Sequence, residues 1–125
     1  MRPKLTLTII GIAQVLQGIA IFIFAESVVE TFLNVGEEGM RVGILMHYGL
    51  APAFLMIGLI LLFARDFGIE SQKKLLLALI IGYLPLFAVF YHFSSVDFLN
   101  FTIEGIIPDI VMFGLALFTY LKPKE

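Results

Sequence analysis

A chain of 125 residues is one domain's worth of polypeptide. It is 60% hydrophobic and 14% charged, with a mean hydropathy of +1.02, too few polar residues to cover a water-facing surface; soluble domains carry about a quarter charged residues. The absence of cysteine excludes disulfides, thiolate metal sites, dithiol redox chemistry and a cysteine nucleophile, and a net charge of -2 with scattered basic residues gives no nucleic-acid footprint.

A hydrocarbon layer about 30 Å thick needs roughly 20 apolar residues in a helix to cross it. Four runs meet that requirement: residues 5–25, 42–64, 75–93 and 101–121. The first lies between Lys4 and Glu26 and carries no charge. It is longer than the apolar core of a signal peptide, so it is expected to stay as a span. The second lies between Arg41 and Arg65, with His47 as its one ionisable group, and the third follows Lys73 and Lys74. The fourth ends at Lys122-Pro123-Lys124. In lipid a backbone must satisfy its own hydrogen bonds, so continuous runs of this length read as helices. The expected fold is therefore all-α: a single four-helix integral membrane bundle spanning residues 1–125, with short loops.

Loop charge gives the direction. With the N-terminus inside, Arg2, Lys4, Arg65, Lys73, Lys74, Lys122 and Lys124 are cytoplasmic and only Arg41 is outside. That bias predicts both ends in the cytoplasm. The setting expected is the plasma (inner) membrane of a prokaryote. Between the first two spans, Val28, Val29, Phe32, Leu33 and Val35 alternate with Glu26, Glu30, Glu37 and Glu38, and Gly36 and Gly39 bracket a turn. The pattern predicts a short interfacial helix over residues 27–34.

Depth follows from a rise of 1.5 Å per residue. His47 falls roughly 9 Å outward of mid-span with Tyr48 slightly deeper, Tyr91 and His92 roughly 12–14 Å, Glu104 roughly 10 Å and Asp109 about 3 Å. Gln14 and Gln17 of the first span lie at about the depth of Asp109. The inner half carries almost nothing ionisable. Arg41, His47, Tyr48, His92, Glu104 and Asp109, with Gln14 and Gln17, therefore predict a polar funnel open to the outside, with Asp109 near its floor. An acid at that depth costs about 2.5–3.5 kcal/mol on insertion scales and normally faces a bundle interior. As a functional group it would be a proton relay, an ion ligand or a general acid. As a structural one it would be bonded to Gln14, Gln17 or Tyr83 between helices.

Other signals are weaker. His47 and His92 invite haem or a metal, but two histidines without diagnostic spacing define no site, and no cofactor is expected. Glu104 and Asp109 are five residues apart, about 140° of helical rotation, so they do not share a face. Pro52, Pro85 and Pro108 would interrupt the second, third and fourth spans. Gly11, Gln14 and Gly18 recur on one helix face, a packing seam either within the bundle or against another subunit.

Arg41-Val-Gly leading into the second span, and Leu61-Leu-Phe-Ala-Arg65 at its exit, together with four short-looped helices, resemble the DoxX-like group of small bacterial membrane proteins. The resemblance implies the four-helix membrane fold, and some members are linked to redox or oxidative-stress partners. It carries over no functional residue. Small multidrug exporters place their intramembrane glutamate in the first span, which has none here, and many of them, like small fluoride channels, work as inverted pairs, against the charge bias. Vitamin K reductase-like and DsbB-like enzymes need cysteines.

The function these features predict is binding of a small apolar or lipid-like ligand, or service as an accessory subunit, through the outward funnel. The partners are the bilayer, such a ligand, and a second copy or another membrane protein. The alternatives are an acid–base enzyme of isomerase or cyclase type, with Asp109 as acid and His47 or Glu104 as base, and a proton-coupled transporter using Asp109.

Overall fold

A computed structural model describes residues 2–97, 99–100 and 103–123, with the side chains of Ile103 and Glu104 outside the description. The described residues are helical and turn segments: α1 (Pro3–Ile23), α2 (Ala25–Phe32), α3 (Glu37–Phe63), α4 (Ile69–Phe93) and α5 (Ile107–Leu121). Short 3-10 turns at Ala64–Asp66 and Ile103–Ile106 follow α3 and precede α5. α1, α3 with its following turn, and α4 are long and apolar enough to cross a membrane; α5 is apolar but shorter.

Helix ends differ from the hydropathy boundaries in ways the backbone explains. α3 begins at Glu37 and α4 at Ile69, because polar residues beyond an apolar run continue its hydrogen bonding. The short helix expected between the first two runs begins at Ala25, two residues before the expected start, and buries Ala25 and Val29. Pro52 and Pro85 sit inside continuous helices on exposed faces. Pro108 does not interrupt its helix. It lies in the first turn of α5, where the missing N–H would have had no partner in any case, so the fourth apolar run is divided into a 3-10 lead and an α-helix.

α1 occupies the centre. α3 packs along one side of it and α4 and α5 along the other, while α3 shares no packed interface with α4 or α5 among the described residues. The α1–α3 contact is made by small residues. A Cβ built on Gly58 would lie 2.7 Å from the Gly11 carbonyl oxygen and 2.6 Å from Val15 Cγ2, and one on Gly18 would lie 2.9 Å from the Ala51 carbonyl oxygen. Gly11 meets Gly58 and Gly18 meets Ala51, so the two helices run antiparallel. Backbones this close gain dispersion energy that larger side chains would forbid.

The other side of α1 has a different chemistry. Thr6 and Thr119, both fully buried, share a 2.6 Å hydroxyl hydrogen bond between α1 and α5. Leu7, Ile10, Leu76, Tyr83, Met112 and Ala116 fill the space between α1, α4 and α5, and Leu61 and Ala64 join them where α3 ends. The Gln72 amide donates to the Ala64 and Arg65 carbonyls at 3.3 and 3.0 Å, closing the α3–α4 turn. Lys73 sits over the Tyr120 ring, 5.9 Å from its centroid. These contacts gather Arg2, Lys4, Arg65, Lys73, Lys74 and Lys122 at one end of the molecule. At the other end the Asn100 N–H donates to the Phe32 carbonyl at 2.7 Å and its side-chain amide to the Thr31 carbonyl at 3.3 Å. The Leu33–Leu99 bridge lies beside them.

Candidate functional site

Gln14 projects from the centre of α1 toward α4 and α5 and is only 5% exposed. Its Nε2 lies 3.5 Å from the Tyr83 hydroxyl and 3.6 Å from Met112 Sδ, to which the Tyr83 hydroxyl also donates at 3.8 Å. Its carbonyl oxygen Oε1 is buried and has no hydrogen-bond partner among the described residues. A buried acceptor left in that state costs about 1–3 kcal/mol, so it demands a donor.

Asp109 stands one turn before Met112 on the same face of α5 and is 8% exposed. It lies within electrostatic reach of Tyr83. Its carboxyl makes no hydrogen bond or ion pair with any described residue. The pairings of Thr6 with Thr119 and of Gln14 with Met112 set the α1–α5 register and put Asp109 level with Gln17. Gln17 is half-buried and falls on the α1 flank shared by Thr6 and Ile10. Asp109 is also in the first turn of α5, where free N–H groups and the helix dipole favour negative charge. Beside Met112 an aromatic group runs along α4 and α5: Tyr83 stacks on Phe87 at 5.5 Å, and Phe113 meets Phe87 edge-on at 5.3 Å.

The remaining sequence candidates sit elsewhere. Gly43 of α3 packs on Val29 and Leu33, Ala51 packs on α1, and His47 is spaced one turn from each. That stripe turns the half-buried His47 toward the α1–α2 elbow, where its Nδ1 lies 2.8 Å from the Gly43 carbonyl oxygen. Tyr48 packs edge-on to Phe22 of α1 at 5.5 Å. Arg41 and His92 are exposed. Glu104 is in the 3-10 lead to α5, and its side chain lies outside the described residues. The structure therefore brings Gln14 and Asp109 to Tyr83, with Gln17 at the level of Asp109 by helix register, and sets His47 and Tyr48 on the α3 side of α1. Gly11 and Gly18 face α3, whereas Gln14 is rotated toward α4 and α5, so the three-residue seam serves two neighbours.

Among the described residues no three of His, Cys, Asp and Glu come close enough to hold a metal ion. His47 and His92 stand on α3 and α4, which share no packed interface. Compared with protein-family models, with curated proteins and with solved structures, the chain matches none.

Two features escaped the sequence reading. Met112 gave no signal, because a methionine in an apolar run is indistinguishable from core. The Thr6–Thr119 bond had one: two hydroxyls in opposite apolar runs, each near a basic end.

Proposed function

We propose that the protein is a four-span integral membrane protein with both termini in the cytoplasm of a prokaryote, and that it binds a small apolar or lipid-like ligand at the Gln14–Tyr83–Asp109 cluster. Several observations support the membrane part. Leu16, Met46 and Phe63 are 60%, 70% and 70% exposed on the long helices, a surface suited to hydrocarbon. α5 covers about 22 Å, and the 3-10 lead adds about 8 Å, close to the about 30 Å of a bilayer core. The alternating helix directions collect the basic residues at one end, as the positive-inside rule requires of a cytoplasmic face.

The observation that carries the binding reading is the buried Gln14 Oε1, which has no partner among the described residues, one helical turn from the buried Asp109, whose carboxyl makes no hydrogen bond or ion pair among them either. Polar groups this deep are retained when they meet each other, water or a ligand, and these two do not meet each other. The position differs from the funnel expected from depth alone: the cluster lies between α1, α4 and α5, with α1 separating it from His47. That separation also weakens the acid–base enzyme reading that pairs Asp109 with His47. Native mass spectrometry of the protein extracted in mild detergent tests the proposal. A bound small molecule is expected on the wild type and is expected to be lost from the Gln14→Leu, Asp109→Asn double variant. Equal adducts on both, or none on either, would overturn it.

A further inference from the structure

The cluster's unmet valences define the chemistry of its occupant. Gln14 Oε1 can only accept, and the Asp109 carboxyl has neither a hydrogen bond nor an ion pair among the described residues. Both side chains are more than nine-tenths buried. The basic residues cannot serve them: Arg2, Lys4, Arg65, Lys73, Lys74 and Lys122 lie at the far end, and Arg41 is exposed on α3. A carboxyl in such surroundings stays ionised only beside a positive partner and is otherwise neutral. A metal ion is a poor candidate, because hard cations take about six oxygen ligands, whereas this site offers a carboxyl, an amide oxygen and a phenol next to a thioether. The aromatic side chains Tyr83, Phe87 and Phe113, gathered beside Met112, suit an organic cation instead, since ring faces attract ammonium groups and ring edges pack on hydrocarbon.

From this juxtaposition we infer that the cluster takes the ammonium head of a lipophilic primary amine, one N–H donating to Asp109, a second to Gln14 Oε1, with the hydrocarbon part against Tyr83, Phe87 and Phe113. A primary amine supplies the donors that a quaternary ammonium lacks and the charge that an alcohol lacks. The inference deepens the ligand-binding reading above and rests on it.

Calorimetric titration of the protein in phosphatidylcholine nanodiscs tests it, with 1-aminoadamantane hydrochloride as the probe and 1-adamantanol as its neutral counterpart of the same shape. Hydrogen bonds to charged groups are worth about 1.5–3 kcal/mol, so the amine is expected to bind at least about tenfold more tightly than the alcohol. Protons compete for Asp109, so amine binding is expected to weaken as the pH falls from 8 to 5. Asp109→Asn is expected to abolish the preference, and Gln14→Leu to reduce it several-fold. Equal binding of amine and alcohol would overturn the inference while leaving a neutral-ligand site standing. Binding of neither probe would also overturn it, and the adduct comparison above then decides separately whether the cluster binds anything. Should a variant fail to fold, the wild-type amine-to-alcohol ratio alone decides the matter.

Discussion

Gln14 and Asp109 lie one helical turn apart along the α1–α5 interface, both buried and with no hydrogen bond between them. The Gln14 amide is directed instead at the Tyr83 hydroxyl and Met112 Sδ. Their separation shapes the expectations that follow, beginning with the scaffold that holds them.

The α1–α3 contact depends on the absence of a side chain at Gly58. A Cβ there would meet Gly11 O and Val15 N, both at 2.7 Å, and backbone cannot move aside as a flexible side chain can. Gly58→Leu is expected to lower stability by about 1–3 kcal/mol, the usual cost of overpacking. Gly49→Ala is the control, since nothing lies within 4 Å of its added Cβ. It is expected to be neutral or to stabilise by about 0.5–1 kcal/mol through helix propensity. Thermal unfolding in detergent reads both.

Thr6 and Thr119 form an isolated buried pair, well suited to a double-mutant cycle. Thr6→Val strands the Thr119 hydroxyl and is expected to cost about 1 kcal/mol or somewhat more. Adding Thr119→Val removes the stranded group, so the double variant is expected to be no less stable than the single one. Additive losses would show that the two hydroxyls are not coupled.

The absence of native cysteine makes topology directly measurable. Single cysteines at Ser95, beyond the end of α4, and at Lys122, beyond the end of α5, fall at opposite ends of the molecule. A membrane-impermeant maleimide applied to intact cells is expected to label Ser95→Cys and to reach Lys122→Cys only after lysis. The reverse pattern would invert the orientation, and labelling of both would contradict the four-span arrangement.

The hydrogen bonds from Asn100 to Phe32 and Thr31 tie the α2 segment to the lead into α5. Asn100→Pro deletes the N–H that reaches Phe32. Faster amide exchange is expected in residues 25–33, with no change at the Gln72 end. Uniform acceleration over the whole chain would show that the tie supports the entire fold instead.

Hydropathy made the apolar segments and their helical state legible, because long uninterrupted runs leave few alternatives. It locates the ends of apolar runs rather than helix ends, which is why α3 and α4 extend several residues into charged sequence. The polarity of Gln14, Gln17 and Asp109 sets them apart within their apolar runs, but the hydrogen bond from Asp109 to Gln14, Gln17 or Tyr83 that a structural role predicts does not form among the described residues. Helix neighbour order was not legible. In a segment that is apolar on every side, no amphipathic stripe says which face meets protein, so nothing in the residues around His47 revealed that α1 would stand between it and Asp109. Glycine spacing on α1 did announce a packed face, but the partner, Gly58 and Ala51 on α3, emerges only from the contact itself.

An experimental density map of the protein in lipid nanodiscs, at a resolution that separates side chains, bears most directly on the site. Ligand binding at the cluster predicts density from a bound molecule within hydrogen-bond distance of both Gln14 Oε1 and the Asp109 carboxyl, reaching toward Phe87 and Phe113. A map in which Gln14 and Asp109 bond to each other, with nothing between α1, α4 and α5, would contradict it and leave the pair as a strut between helices.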